Sequence, residues 1–261
     1  MSAAFAWSTS ARARDAASLA IDDLPGLVAG AAYSGYTMLY AVTVIAAPTT
    51  NLFIETLTSD GVFAGLEWTQ RTSQLITCTS PDAKFRVQTW FAWLPPDVVI
   101  DSDSVGSVVA TPDGTAQDFV FIIGGVTDTM GFDARESNPT IDVDFGNTPT
   151  EPANNSQGLT NEAGGMLVTV IATSGATDPT PGLGADLVQL VETATIESEE
   201  STTPLRVMLQ KIDLAFGSTG WKCESDTDLA RWQAHTDGIA TGTFAPPSSG
   251  VFPALTVLGF Y

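Results

Sequence analysis

Residues 85–94 alternate with a period of two. Phe85, Val87, Thr89, Phe91 and Trp93 fall on one side, and Arg86, Gln88, Trp90 and Ala92 on the other. Successive side chains of an extended strand point to opposite faces, so this pattern predicts a half-buried strand with Trp90 as an aromatic on its wetter face. Other short runs rich in β-branched and aromatic residues lie at 37–46, 73–79, 118–124, 166–173, 187–196, 205–215 and 255–260. Gly, Pro, Asn, Asp and Ser cluster between them, and the 3.6-residue period of a long amphipathic helix is absent. The expected fold class is all-β, an antiparallel sandwich or jelly roll.

An internal repeat adds architecture to that pattern. The run from Met38 to Ala47 resembles the run from Met166 to Thr173, at an offset of 128, and Phe85-Arg86-Val87 resembles Leu205-Arg206-Val207, at an offset of 120. Residues 119–123 have a looser echo at 252–257. Three matches in one order predict two similar halves, at about 36–130 and 160–261, within one β-sandwich domain spanning 36–261. Chance similarity between apolar strands is the competing explanation. Residues 1–35 read differently. The Ala- and Arg-rich stretch 10–20 predicts a short helix and 25–35 is rich in Gly and Ala, so this segment is expected to be an N-terminal arm, either frayed or ordered by docking on a neighbouring subunit.

A chain of 261 residues has room for a sizeable core, and its 44% hydrophobic content belongs to a folded protein. Charge is lopsided, with 30 acidic against 10 basic residues and a formal net charge of −20. A nucleic-acid footprint needs clustered Lys and Arg, so direct DNA or RNA binding is not expected. The acidity serves solubility or cation binding. The longest apolar run, 38–47, is broken by Thr43 and ended by Pro48, too short for a helical membrane span. Arg12 and Arg14 follow the apolar residues of the N-terminus, the wrong order for a secretory signal. Cys78 and Cys223 lie in no metal-ligand spacing, and two buried thiols are expected, with a disulfide as the alternative.

Catalytic chemistry finds few residues to use. His235 is the sole histidine, no Gly-x-Ser-x-Gly elbow accompanies it, and it is expected on an exposed loop or strand edge. Phosphate-cradling loops and a conventional zinc ligand set are missing. Paired aspartates occur at 101/103, 142/144 and 226/228, where hard oxygen ligands on a loop suit calcium. The strongest of these groups is Asp142, Asp144 and Asn147, with Gly146 turning the chain back, and calcium is the one candidate cofactor. Trp90 and Trp232, each flanked by polar neighbours, are the candidate glycan contacts, since sugar rings stack on exposed indoles.

The order of elements resembles β-sandwich modules of tail and fibre proteins from tailed bacteriophages. The features carrying the resemblance are the apolar strand 38–46, the turn Gly65-Leu66-Glu67-Trp68-Thr69, the aromatic-rich strand 86–93, the apolar strand ending in Gly124-Gly125, and the echo at 166–173. It covers about 36–261, and the second Trp turn is unmatched, because 184–187 has no Trp. The resemblance implies a virion role and an antiparallel sandwich and brings no catalytic residues with it; the expected function is a non-enzymatic component of a tail fibre, baseplate or head decoration, with host-glycan adhesion through Trp90 and Trp232 as an accompanying expectation. Other virion proteins and copies of the same chain would be the partners, without membrane insertion. Two rival functions share the composition: a stand-alone prokaryotic carbohydrate-binding module, and a glycan-cleaving enzyme using two of the many carboxylates.

Overall fold

The computed structural model describes residues 3–22, 24, 36–47, 50–79, 82–94, 106–132, 140–144, 165–174, 180–181, 188–197, 200–201, 204–213, 223–224 and 231–241. Its strands in chain order begin with β1 (Ala4–Ala16), β2 (Leu19–Ile21), β3 (Tyr36–Ala47), β4 (Ile54–Ser59), β5 (Thr69–Thr79), β6 (Asp82–Trp93), β7 (Val108–Pro112) and β8 (Ala116–Thr127). They continue with β9 (Thr129–Phe132), β10 (Thr140–Asp144), β11 (Met166–Ser174), β12 (Thr180–Pro181), β13 (Val188–Ile196), β14 (Leu205–Asp213), β15 (Cys223–Glu224) and β16 (Arg231–Thr241). All pairings among them are antiparallel. The all-β sandwich is therefore the observed fold, and among the described residues no helix is long and apolar enough to cross a membrane.

Each half of the chain builds its own sheet, and the two sheets have the same strand order. The front sheet runs β1-β8-β3-β6-β5, and the back sheet runs β10-β16-β11-β14-β13, with β9 also paired to β16. Register follows the repeat. Phe85 pairs with Ala46 and Ile76 in the front sheet, and Leu205 with Ser174 and Ile196 in the back sheet. The offsets of 128 and 120 carry Ala46 onto Ser174 and Phe85 onto Leu205, so the sequence repeat is a repeat of hydrogen-bonded register. It extends to smaller elements, because β4 pairs with β7 as β12 pairs with β15. The row Phe5–Val126–Met38 likewise corresponds to Phe132–Ile239–Met166. The echo proposed for 119–123 needs correction: the strand in the place of β8 is β16, and 252–257 lies outside the described residues.

Two cores stack on the front sheet. Met38, Tyr40, Val42, Val44, Phe85, Val87, Val120 and Ile122 meet Met166, Val168, Val170, Leu205, Val207 and Leu209 between the two sheets. On the opposite face Leu39, Ile45, Trp90, Phe119, Phe121 and Ile123 meet Ile21, Ile54, Leu57, Val108 and Ala110 of the small β2-β7-β4 sheet. Burial on both faces explains why β3 reads as an almost unbroken apolar run. Asp128, with φ of +51°, takes up the left-handed conformation where the chain leaves β8 for β9 and so changes sheets.

The N-terminal segment departs from expectation. Residues 4–16 form a strand, not a helix, and pair with β8 from Ala4↔Thr127 to Ala16↔Ala116. Alternation of Ala11 and Ala13 with Arg12 and Arg14 is the period-two signal that its helix-compatible composition obscures. Trp7, Ile21 and Leu24 are buried in the second core. A domain boundary at residue 35 would cut through the front sheet, so this part of the expected arm belongs to the domain, while 25–35 lies outside the described residues.

Candidate functional site

A buried polar cluster lies inside the sandwich, where β5 of the front sheet faces β16 of the back sheet. A β-bulge creates it. Gln70 pairs with Trp90 and Thr72 with Thr89, which leaves Arg71 as the extra residue on β5. A bulge re-aims the side chains beside it and sharpens the local twist. Arg71 and Thr72 accordingly both reach the back sheet. On β16 the residues at 233, 235, 237 and 239 share the inward face, and all four are buried.

Asp237 is fully buried and carries two bonds across the sandwich. Arg71 Nε donates to its Oδ1 at 2.8 Å, and Tyr40 Oη donates to its Oδ2 at 3.0 Å. Burial raises the Asp237 carboxyl, while the charge and hydrogen bond of Arg71 and the bond from Tyr40 pull it back down. Tyr40, buried beside this carboxylate, is pushed well above an ordinary phenol, by burial first and by Asp237 second. The guanidinium also lies 4.2 Å from the centroid of the Phe132 ring, which packs edge-on against Phe91 at 4.9 Å. The arginine is therefore held by a carboxylate and an aromatic face.

Two residues back along β16, His235 is also fully buried. Its Nδ1 lies 2.6 Å from Thr72 Oγ1, and its Nε2 lies 2.9 Å from Gln233 Oε1. Gln233 spends its amide N–H on the Phe85 carbonyl at 3.4 Å, so its oxygen must accept from the ring. That fixes the proton on Nε2 and makes Nδ1 the acceptor of the Thr72 hydroxyl. Thr72 Oγ1 in turn accepts from Thr89, whose Oγ1 lies at 2.7 Å. Burial lowers the His235 pKa to about 3, so the ring is neutral at ordinary pH. The expectation of an exposed loop or edge histidine is corrected: His235 is an interior residue of a central ladder, between β10 and β11.

Both glycan candidates are interior as well. Trp90 is 2% exposed and donates its indole N–H to Thr43 Oγ1 at 3.2 Å, because the small outer sheet covers the face that alternation marked as wet. Trp232 is 7% exposed and packs with Leu167, Ile171, Met208 and Ile212 on the far face of the back sheet. Neither ring offers a face to a sugar. Of the calcium candidates, Asp142 and Asp144 lie on β10, paired to Ala234 and Trp232, and not on the expected loop. Asn147 lies outside the described residues, and no group of three or more potential ligands is found among the described ones. Cys78 and Cys223 fall on β5 and β15.

Sequence reading missed Tyr40, Arg71, Thr72 and Asp237. The available signal was the polar alternation of Gln233, His235 and Asp237 against Trp232, Ala234 and Thr236, which marks a strand but suggests that its polar side is solvated. Only the partner strand, with its bulge, shows that side to be internal.

Chemically the cluster can bind two sheets together. It lacks access for a substrate, since Asp237 and His235 are both at 0% exposure. The opposite edge of the sandwich is joined differently: Ser8 and Ser10 of β1 donate to the Glu192 carboxylate of β13, each at 3.2 Å, Ser8 reaches the Val191 carbonyl at 2.9 Å, and Arg12 bonds the Thr195 carbonyl. Compared with protein-family models, with curated proteins and with solved structures, the chain matches none of the three.

Proposed function

We propose that the protein is a non-catalytic structural component of a virus particle, of the kind found in tail fibres, baseplates or head decorations of tailed phages. The observation that carries this reading is the duplicated sandwich, in which each half contributes one sheet of the same order and side chains bridge the sheets at both ends. Such a body is stiff. Buried groups that elsewhere serve as acid, base or nucleophile, namely His235, Asp237, Tyr40 and Thr72, are spent on inter-sheet bonds. High acidity fits a surface kept soluble at high local concentration and in contact with other particle proteins.

Host-glycan adhesion, if part of this role, rests on residues other than Trp90 and Trp232, and no observation favours a stand-alone sugar-binding module. The test is electron microscopy of purified particles from the source, combined with mass spectrometry of their proteins. The chain is expected at a fixed copy number per particle. Its absence from purified particles would overturn the reading, and release of reducing sugar from glycans by the pure protein would replace it with the enzymatic one.

A further inference from the structure

The hydrogen-bond chain at the β5–β16 seam has one direction, and every link is filled. Gln233 Oε1 takes the Nε2 proton of His235, and Nδ1 takes the only hydroxyl proton of Thr72. A second ring proton would point at that hydroxyl and force the chain to reverse. No spare counter-charge is at hand, because the titratable and charged groups facing this site among the described residues are Tyr40 from β3, Arg71 from β5 and Asp237 from β16. Asp237 is already engaged by both of the others, and Arg71 adds a positive charge of its own. At the opposite edge of the sandwich, where β1 meets β13, the bridging groups are serines, an arginine and a partly exposed Glu192, with no histidine.

From this asymmetry we propose that the β5–β16 seam is an acid-sensitive latch, closed by neutral His235 and loosened when that ring takes a proton, while the β1–β13 seam stays shut. Loosening means that the β5 edge separates from β16 and its ladder to β6 frays, while the rest of both sheets stays folded.

The direction with pH follows from the ring. In the closed seam His235 holds a proton only near pH 3, whereas a ring freed into water takes one up near 6.5. The open form therefore binds more protons between these values, and the opening equilibrium grows by about tenfold for each pH unit lost. Asp237 acts against this. Its carboxyl is raised in the closed form, so once it protonates there the closed form gains a proton too, and the two uptakes offset each other. The latch thus opens as the pH falls below about 6.5, and the effect levels off over whatever range Asp237 titrates in the closed form.

His235 is the sole histidine, which permits a direct readout on the full-length protein. Proton NMR of the ring and hydrogen exchange read by mass spectrometry are measured between pH 7 and 4.5, the exchange being corrected for its intrinsic pH dependence. The expected result is a ring that stays neutral in the folded population, with β5 peptides losing protection at least tenfold more than β1 peptides. In His235→Gln, which keeps a neutral side chain, the difference between the two seams should vanish. A ring titrating near 6.5 in the folded protein overturns the proposal, as does equal loss of protection at both seams. So does acid opening that persists in the variant. If His235→Gln fails to fold at pH 7, the wild-type ring titration and the comparison of the two seams decide the matter alone.

Discussion

Arg71 and Val191 occupy the same position in the two halves of the chain. Each is the extra residue of a β-bulge in the edge strand of its sheet, between Gln70 and Thr72 on β5 and between Leu190 and Glu192 on β13. The ladder partners flanking the bulges, Trp90 and Thr89 in one half and Gln210 and Leu209 in the other, correspond at the same offset of 120. A bulge costs a ladder bond and bends its strand, so its recurrence at one register position makes it part of the shared plan. The halves then diverge in what the bulge presents. Arg71 meets buried Asp237, whereas Val191 is apolar and its neighbour Glu192 meets two serines.

Breaking the Arg71–Asp237 pair should therefore be costly, and replacing it should not. Arg71→Met leaves a fully buried carboxylate with only Tyr40, and a loss of about 3–5 kcal/mol is expected for orphaning one member of a buried ion pair. Adding Asp237→Leu and Tyr40→Phe removes the orphaned groups and should recover most of that loss. Urea unfolding of the single and triple variants measures both. A single variant as stable as wild type would mean that the pair contributes nothing to the seam.

Deletion of residues 1–16 tests where the domain begins. Without β1, the β8 ladder loses its partner along 116–127, Trp7 leaves the second core, and Glu192 loses Ser8 and Ser10. The truncated chain is expected to unfold or to associate through the newly bared β8 edge, an unpaired strand being a template for other chains. Thermal melting with sedimentation distinguishes these outcomes from a truncated monomer as stable as the parent, which would restore the reading of this segment as a dispensable arm.

Trp90 separates the core role from the sugar-binding one. As a buried ring its replacement by alanine should cost about 3–5 kcal/mol, because a large cavity opens between the front sheet and the small outer sheet. Its fluorescence in the wild type should also resist quenching by solutes. Full stability of Trp90→Ala would contradict the burial described.

Seven of the eight strands expected from sequence lie within observed strands or overlap them, and the repeat was legible down to its register, since both depend on local alternation. Faces were harder. Alternation in β6 separates Trp90 from Phe91 but does not say that both sides are covered, because the layer over Trp90 comes from short segments between the main strands. β16 was missed for the opposite reason. Its inward residues are polar, and beyond the Gln233–His235 bond they are satisfied by partners more than 140 residues away, such as Thr72 and Phe85. β1 was misread because Ala and Arg favour helices as isolated residues, and pairing with β8 overrides that preference.

Gly124 marks where the two halves come closest to a forced difference. It lies on the inward face of β8 at the register position that Asp237 holds on β16, as shown by their shared partners Tyr40 and Val168 at an offset of 128. An added methyl at Gly124 would stand 2.8 Å from the Phe5 ring and 3.0 Å from the Trp7 carbonyl oxygen. The ring can turn away, but the carbonyl belongs to the bulged part of β1 and cannot move without disturbing the pairing with β8. Gly124→Ala is expected to cost about 1–3 kcal/mol, the usual penalty for overpacking. Phe5→Ala made alone removes a partly buried ring packed edge-on to Tyr40 at 6.5 Å and should cost stability as well. Combined, the two should cost less than the sum of the single changes, because the smaller side chain relieves the contact with the new methyl. Urea unfolding of the four proteins closes this cycle. Strict additivity would show that Phe5 does not fill the space over Gly124, and that β8 meets β1 at this point through the backbone alone.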